Sequence, residues 1–230
     1  VSPFVAHVLR QQAPPGPGAA SPSWLSFADP GQLLLELTLI GYYPVLQWTG
    51  YVLVGLAVGK ALRDGTGRRT ELALTLVAAG AALAGGAQVV SAVLLGPLGG
   101  ATRIDTSTWF YGTTPTDTWW WLAVSSPHSG TPFDLLHTTG TSLAVIGLCL
   151  LAAALPWRAV GVALTPLAAA GSMTLTLYSA HVVLLGLGLD VLVAHWVLAL
   201  TAATLWRSTG RRGPLEGLAA SAARQVSRTG

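Results

Sequence analysis

The residues best suited to chemistry are histidines and acidic residues placed beside or inside apolar stretches. Asp134 and His137 are three positions apart, so a helix would present both on one face, where a carboxylate can orient an imidazole and raise its basicity. Such a pair is a candidate general base for deprotonating an acceptor group. The alternative is structural: Asp134 caps the helix that follows SGTPFD, while His137 bonds a neighbouring hydroxyl.

A second group of polar residues lies in the segment SMTLTLYSAHVVLL. Thr174, Tyr178 and His181 are spaced i, i+4 and i+7, which places them on one face of an otherwise apolar helix. Such a stripe could line a substrate cavity, or it could join helices through hydrogen bonds. His195, in the next apolar segment, is explained as well by the outer end of a short span. The sequence has no HxxxH or HExxH spacing, so we predict no metal site.

The composition indicates what kind of element must position these residues. Of the 230 residues, 52% are hydrophobic and only 9% are charged, whereas soluble domains carry about 25% charged residues. Long windows without any charge are tolerated only in hydrocarbon. We therefore predict an all-α, polytopic transmembrane helix bundle surrounded by the lipid bilayer. The net charge of +3 comes from basic residues in short loops beside apolar segments, so we predict no nucleic-acid partner.

The apolar windows and the loop charges predict an oriented bundle. We expect one transmembrane domain over residues 1–230, with the N-terminus outside and the C-terminus inside, because this orientation places ten of the twelve basic residues in the cytoplasm. The aromatic runs WFYG and WWW are typical of an outer interfacial belt. About five spans are expected, with an outer loop at 99–132 and a cytoplasmic tail at 208–230; the spans are 42–60, 72–98, 134–156, 164–187 and 190–207.

Smaller features indicate the source and the packing. Eleven of the twelve basic residues are Arg, and Ala, Gly and Leu abound, which suggests a bacterial source and a multi-pass protein of the plasma (inner) membrane. The chain opens on Val1 without a secretory signal, so we expect an N-terminally truncated fragment. Gly55 with Gly59, and the GAALAGGA run from Gly80, are small-residue stripes that allow close helix packing.

Four strings occur in a fixed order: GYYPVLQWTGYVLVGLAVGKALR, SPHSGTPFDLLHTTGTSLAVIGLCLL, PLAAAGSMTLTLYSAHVVLL and RRGPLEGL. Together they resemble the C-terminal part of the bacterial YeiB-like and heparan-alpha-glucosaminide N-acetyltransferase-like multispan membrane proteins. The resemblance covers most of residues 32–218. It implies a protein that, in the acetyltransferase members, moves an acetyl group from cytoplasmic acetyl-CoA to an amino sugar across the membrane. Members begin with further spans that nothing in this sequence matches.

The resemblance also implies where the site lies. The strings PHSGT and LTLYSAH match the family pattern, whereas His137 departs from it. We therefore expect His128, Asp134 and His181 to be catalytic, with His137 and Tyr178 as secondary candidates.

The expected partners follow from the same resemblance. No cofactor is expected to be tightly bound; acetyl-CoA would be a co-substrate, and its phosphates would contact Arg68, Arg69 and Arg158. The acceptor would be an extracytoplasmic amino sugar or an envelope glycan. A homo-oligomer, or N-terminal helices outside this sequence, would complete the bundle. The alternative function is a non-catalytic membrane module or a small-solute transporter.

Overall fold

The computed structural model describes residues 2–13, 24–65, 68–105, 107, 110 and 112–229, and this part of the chain contains helices and turns but no strand. The predicted all-α class is therefore confirmed for the described residues. The α-helices are α1 (Ser2–Gln12), α2 (Pro30–Leu35), α3 (Val45–Asp64), α4 (Arg69–Leu95), α5 (Pro132–Ala153), α6 (Arg158–Gly171), α7 (Thr174–Gly186), α8 (Leu192–Ser208) and α9 (Pro214–Thr229). A π-helical turn, Glu36–Ile40, directly follows α2.

Three of these helices, α3, α4 and α5, are long and apolar enough to cross a membrane. Their bounds lie within four residues of the predicted spans. Large apolar side chains on α3 are well exposed, for example Leu56 at 65%. Exposed apolar faces of this length require a hydrocarbon surround, which supports a membrane protein.

The predicted span 164–187 is broken. The helices α6 and α7 together are apolar enough to cross, but they meet at 72° across Ser172 and Met173, so they count as a fourth candidate span only if the bent pair is one span. Pro166, inside α6, removes one backbone donor and weakens the helix before the break. The helix α8 is shorter, with 17 residues. The number of crossings and their orientation stay predictions.

The chain divides into two compact units, residues 1–151 and 152–230, which are described separately. In the first unit, α4 and α5 are in backbone contact: a Cβ on Gly80 would lie 2.5 Å from the Gly140 carbonyl oxygen, and one on Gly147 would lie 2.6 Å from the Ala73 carbonyl oxygen. Gly140 contacts Gly80, whereas Gly147, further along α5, contacts Ala73, nearer the start of α4. The two helices are therefore antiparallel. Gln47 near the start of α3 bonds Gly130 just before α5, and Val58 and Ile146, further along the two helices, line the same cavity, so α3 runs in the same direction as α5.

The small-residue prediction is thus confirmed at Gly80 only, since a Cβ on Gly85 or Gly86 of the same run would meet nothing within 4 Å. Gly80 contacts α5, as expected for close packing. A Cβ on Gly55 or Gly59 would meet nothing within 4 Å. The predicted packing role of these two glycines in α3 is therefore wrong within the described unit.

The loop at 99–132 contains two 3-10 turns, Gly100–Arg103 and Trp119–Ala123. Trp121 is buried against Phe110, with ring centroids 5.8 Å apart, and its indole N–H donates to Asp117 at 2.7 Å. Trp119 is 53% exposed and stacks on the buried His7 of α1. The run WWW is therefore not a uniform belt, because Trp121 belongs to the core; two members of the WFYG run, Trp109 and Tyr111, lie outside the described residues.

In the second unit, α6 and α8 pack through fully buried Ala169 and Ala203, with Met173 beside them. The α9 helix is fixed to the start of α7 by Glu216. Its carboxylate accepts hydrogen bonds from the Thr176 backbone N–H at 3.1 Å and hydroxyl at 2.6 Å, and that hydroxyl oxygen accepts from the Leu215 N–H at 3.0 Å. A carboxylate at a helix N-terminus is stabilised by the unpaired N–H groups there.

Protonation of Glu216 is expected to release α9 from α7. Burial raises the pKa of this carboxyl, but the hydrogen bonds from Thr176 outweigh it, and the pKa falls below its ordinary value of 4.5. A lowered folded-state pKa means that the stabilisation is fully present above pH 4.5 and is lost as the pH falls through the lower, folded value. The hydrogen-exchange protection factors at the first turns of α7 and α9, which are corrected for the intrinsic pH dependence of exchange, should fall over this acidic range.

The matched variants are Glu216→Gln and Glu71→Gln. Glu216→Gln should show low protection factors at both turns already at neutral pH, with no further fall in acid. Glu71 pairs on the surface with Arg68, so its substitution should leave the pH profile unchanged. Wild-type-like, pH-dependent protection in Glu216→Gln would contradict this role.

Candidate functional site

Three separate parts of the chain meet where α3 and α5 begin. The Gln47 side-chain amide donates to the Gly130 carbonyl at 3.4 Å, and the Gly112 N–H donates to the His128 carbonyl at 2.8 Å. Gly112 has φ +99°, and a Cβ there would lie 2.5 Å from the Gly41 carbonyl oxygen. Only glycine fits a position that combines this backbone conformation with so close an approach.

Helix α1 supports the same region from outside. The Arg10 guanidinium donates to the Thr114 carbonyl at 2.7 Å, two residues after Gly112. Burial lowers the pKa of Arg10 to about 10. The side chain is still cationic at neutral pH, so it fixes the loop through a charge-assisted hydrogen bond.

The start of α5 is capped from both sides. The Thr131 hydroxyl oxygen accepts from the Asp134 N–H at 3.1 Å, and Pro132 occupies the first helical position, where no N–H is needed. Asp134 is only 7% exposed, and its carboxylate accepts from the Gly130 N–H at 3.0 Å and from the Thr138 hydroxyl at 3.5 Å. The residue that caps α5 is therefore Thr131, and Asp134 supports the same helix start from the third position; the hydroxyl partner expected for His137 is replaced by the Ala84 carbonyl.

The expected pairing of Asp134 with His137 is not formed. The His137 Nδ1 lies 3.3 Å from the Ala84 carbonyl oxygen of α4, on the side where α5 packs. Three residues of separation are compatible with a shared face, but the Asp134 carboxylate turns back to its own cap while the imidazole turns to the neighbouring helix. His137 therefore joins helices in this unit.

His128 has an unusual backbone. It is the third residue of a turn closed by a hydrogen bond from the Ser129 N–H to the Ser126 carbonyl at 3.3 Å, and its φ is +61°. Glycine is the usual residue at such a position, and a side chain there costs about 1–3 kcal/mol. The imidazole is exposed and lies against two phenol rings, with centroids 5.3 Å from Tyr42 and 6.4 Å from Tyr43.

His128 and Asp134 line the same cavity, which has a volume of about 440 Å³ and lies between α3 and α5. Its polar and aromatic end is formed by these two residues with Tyr42, Trp48 and Tyr51. The two helices continue beside it with a mainly apolar lining that includes Val54, Val58, Leu143 and Ile146. The volume is in the range of small-molecule sites.

The second unit has its own histidine pair. His181 Nδ1 lies 2.8 Å from His195 Nδ1, and His195 Nε2 lies 2.6 Å from the Leu189 carbonyl oxygen. Because a carbonyl only accepts, His195 Nε2 carries a proton; when His195 is neutral, its Nδ1 accepts from His181. Both rings and Tyr178 line a cavity of about 700 Å³. Of the predicted polar stripe, His181 thus joins α7 to α8 and lines the cavity together with Tyr178, whereas Thr174 is not among the lining residues.

The predicted catalytic residues are therefore divided between the two units. His128 and Asp134 share the cavity of the first unit, whereas His181 and Tyr178 belong to the second. The predicted phosphate contacts are exposed: Arg68 pairs with Glu71 at 2.7 Å, and Arg69 begins α4, at the end of that helix farthest from the cavity mouth. Arg158 begins α6. Within the described ranges, no three His, Cys, Asp or Glu side chains are placed to hold a metal ion.

Sequence reasoning missed three contributors to the first cavity region. Gln47 is 1% exposed, and Tyr51 and Gly112 line the cavity. A lone amide inside an apolar helix was the available signal for Gln47. Nothing local in the sequence marks Gly112, since its role depends on a chain segment about 70 positions away.

Comparisons with protein-family models, with curated proteins and with solved structures return no match. The family membership implied by the four strings stays a prediction.

Proposed function

We propose that this chain is part of a membrane-embedded acyltransferase and that the cavity between α3 and α5 holds the acceptor. The observation that carries the proposal is that His128 and Asp134 line one cavity, with His128 kept in a backbone conformation that glycine would adopt at lower cost. Backbone strain is concentrated at functional sites, because elsewhere a cheaper residue replaces the strained one.

The proposed chemistry uses the two residues differently. The exposed His128 imidazole accepts the proton of the acceptor amine or hydroxyl as that group attacks the thioester carbonyl of acetyl-CoA. The C–S bond breaks, CoA leaves as the thiolate, and the proton returns from the imidazole to the sulfur. The buried Asp134 carboxylate favours the imidazolium formed during the step and holds the α5 cap in place.

The proposal also includes a direction. Arg68 and Arg69 would lie on the cytoplasmic side, at the far end of α3, too far from His128 to hold the phosphates of an acetyl-CoA whose thioester reacts there. This 20-residue helix separates them from the cavity mouth by about 30 Å. The acceptor, an amino sugar or envelope glycan, would enter from the outer side of a bacterial inner membrane crossed about five times.

The test is acetyl transfer by the complete membrane-embedded protein carrying single substitutions. His128→Ala should lower kcat by about 100-fold or more, as expected for loss of a general base. Asp134→Asn should lower it less, because the amide oxygen still accepts from Gly130. Unchanged turnover in His128→Ala would remove this residue from the mechanism.

A third variant separates function from folding. His128→Gly should raise the free energy of unfolding by about 1 kcal/mol, because the left-handed backbone no longer carries a Cβ, while turnover falls as in His128→Ala. A loss of stability in His128→Gly would mean that the imidazole serves the fold. Thermal unfolding in detergent and the transfer assay would be measured on the same preparation.

One observation favours a transporter as the second candidate. The 72° break between α6 and α7 resembles the discontinuous helices from which transporters build substrate sites. Solute uptake into proteoliposomes that does not depend on acetyl-CoA would favour this function over acyl transfer.

A further inference from the structure

We propose that the cavity between α3 and α5 binds a single-chain amphiphile with an ammonium head group, the head at Asp134 and the chain along the two helices. Binding itself does not depend on the acyltransferase activity. Only the further step, in which the bound amine is the acyl acceptor, rests on the proposed function.

The first argument is the change of polarity along the cavity. The helices α3 and α5 start at the same end and run in the same direction, so residue number measures depth in both. Asp134 and Tyr51 lie near the start, whereas Val58 and Ile146 lie deep. From Asp134 to Ile146, α5 rises by about 18 Å. This depth, lined mainly by apolar side chains, suits a hydrocarbon chain better than a compact polar solute.

The second argument is the unpaired charge at the polar end. Asp134 is 7% exposed, and the ion pairs found among the described residues join other groups, Arg63 with Asp64 and Arg68 with Glu71. The basic side chain in the cavity lining, His128, packs against the rings of Tyr42 and Tyr43 and forms no ion pair with Asp134 in this part of the chain. A buried carboxylate without a cation favours a cationic ligand.

The third argument is the aromatic surround. Tyr42, Trp48 and Tyr51 line the same end of the cavity as Asp134. Aromatic faces combined with a carboxylate are the chemistry by which proteins recognise ammonium groups. A sulfate or phosphate head would meet the carboxylate with like charge, and a plain alcohol would leave the negative charge unpaired.

The cavity also has space for the chain beside α3. Gly55 lines it, and a Cβ on Gly55 would meet nothing within 4 Å. Gly59, one turn further on, is equally open but is not among the cavity-lining residues. The two positions form a matched pair for blocking the cavity.

The experiment is photolabelling of the full chain in phosphatidylcholine nanodiscs, without any acyl donor. The probes share a twelve-carbon chain with a diazirine near its end and differ in the head: amine, alcohol or sulfate. Labelled sites are mapped by mass spectrometry after digestion. We expect the amine probe to label the deep residues of α3 and α5 about tenfold more than the other two probes.

The variants locate the binding. Gly55→Leu should abolish this labelling, whereas Gly59→Leu should leave it at the wild-type level. Asp134→Asn, which keeps an acceptor for Gly130, should reduce the preference for the amine head to about equality. Labelling that is equal for the three heads in the wild-type protein, or that persists in Gly55→Leu, would overturn the inference.

The inference and the proposed function can fail separately. Labelling by the amine probe as described, with no acetyl transfer to any amino sugar or glycan by the complete protein, would support the inference while refuting the proposed function. Equal labelling by the three probes, together with acetyl transfer to an amino sugar that is lost in His128→Ala, would refute the inference and leave the proposed function intact.

Discussion

Gly140→Leu is expected to prevent α5 from packing against α4. A Cβ on Gly140 would lie 2.5 Å from the Ala84 backbone nitrogen and 2.6 Å from the Gly80 carbonyl oxygen. Backbone atoms of a neighbouring helix cannot move as a flexible side chain can. Overpacking ordinarily costs about 1–3 kcal/mol, and we expect at least the upper value here. The measurement is the unfolding midpoint in mixed micelles with increasing SDS.

The control for this substitution is Gly85→Leu in α4. A Cβ on Gly85 would meet nothing within 4 Å, so the added side chain should change the midpoint little. Both variants replace a helical glycine by the same apolar residue, so helix propensity and hydrophobicity are matched. Equal midpoints for the two variants would show that close contact at Gly140 does not stabilise the unit.

Gly112→Ala is expected to disrupt the candidate site more than a methyl group added at any other position. The new Cβ would collide with the carbonyl oxygens of Gly41 and Tyr42, and the φ of +99° would be strained as well. The hydrogen bond from Gly112 to the His128 carbonyl, which positions the histidine turn, would lengthen or break. We expect a loss of at least 2 kcal/mol in unfolding free energy and a large fall in any acyl transfer.

Gly99→Ala separates the two contributions to this loss. Gly99 also has a positive φ, +76°, but a Cβ there would meet nothing within 4 Å. The substitution Gly99→Ala should therefore lower the unfolding free energy only by the backbone strain of about 1–2 kcal/mol, and the site should stay active. If Gly112→Ala were no more harmful than Gly99→Ala, the contact with Gly41 and Tyr42 would be unimportant.

Much of the fold was predictable because lipid imposes a simple rule on sequence. Charge-free windows located α3, α4 and α5 within a few residues, since a helix that satisfies its own backbone is the only simple way to cross hydrocarbon. Pro166 and Gly171 indicate an interruption of the fourth span next to the observed break at Ser172, but neither residue predicts the angle between the two helices. The buried position of Trp121 was hidden, since the WWW run looks the same for an interfacial belt and for a folded loop.

The site was predictable in part. Sequence reasoning selected His128 and Asp134, and they line one cavity. It also weighed a capping role for Asp134; the structure gives the cap to Thr131, while the Asp134 carboxylate accepts from Gly130 just before the helix. The orientation of His137 towards Ala84 could not be predicted, because helical spacing restricts which residues share a face but not which neighbour each side chain reaches.

The four strings that carried the family resemblance meet in pairs. In the first unit, Gln47 of the first string bonds Gly130 of the second; in the second unit, Thr176 of the third bonds Glu216 of the fourth. Sequence order alone suggests a list of separate motifs. The contacts show that two of them build each unit.

The Gln47–Gly130 contact joins residues 83 positions apart. Closing so long a loop costs entropy before any bond is gained, and a chain that emerges from the ribosome N-terminus first has α3 and α4 available well before α5. The cavity therefore cannot exist on a nascent chain that ends before residue 146. The cavity therefore assembles late in synthesis. A chain cleaved between α4 and α5 would regain the cavity only if its two fragments reassociated within the same bilayer.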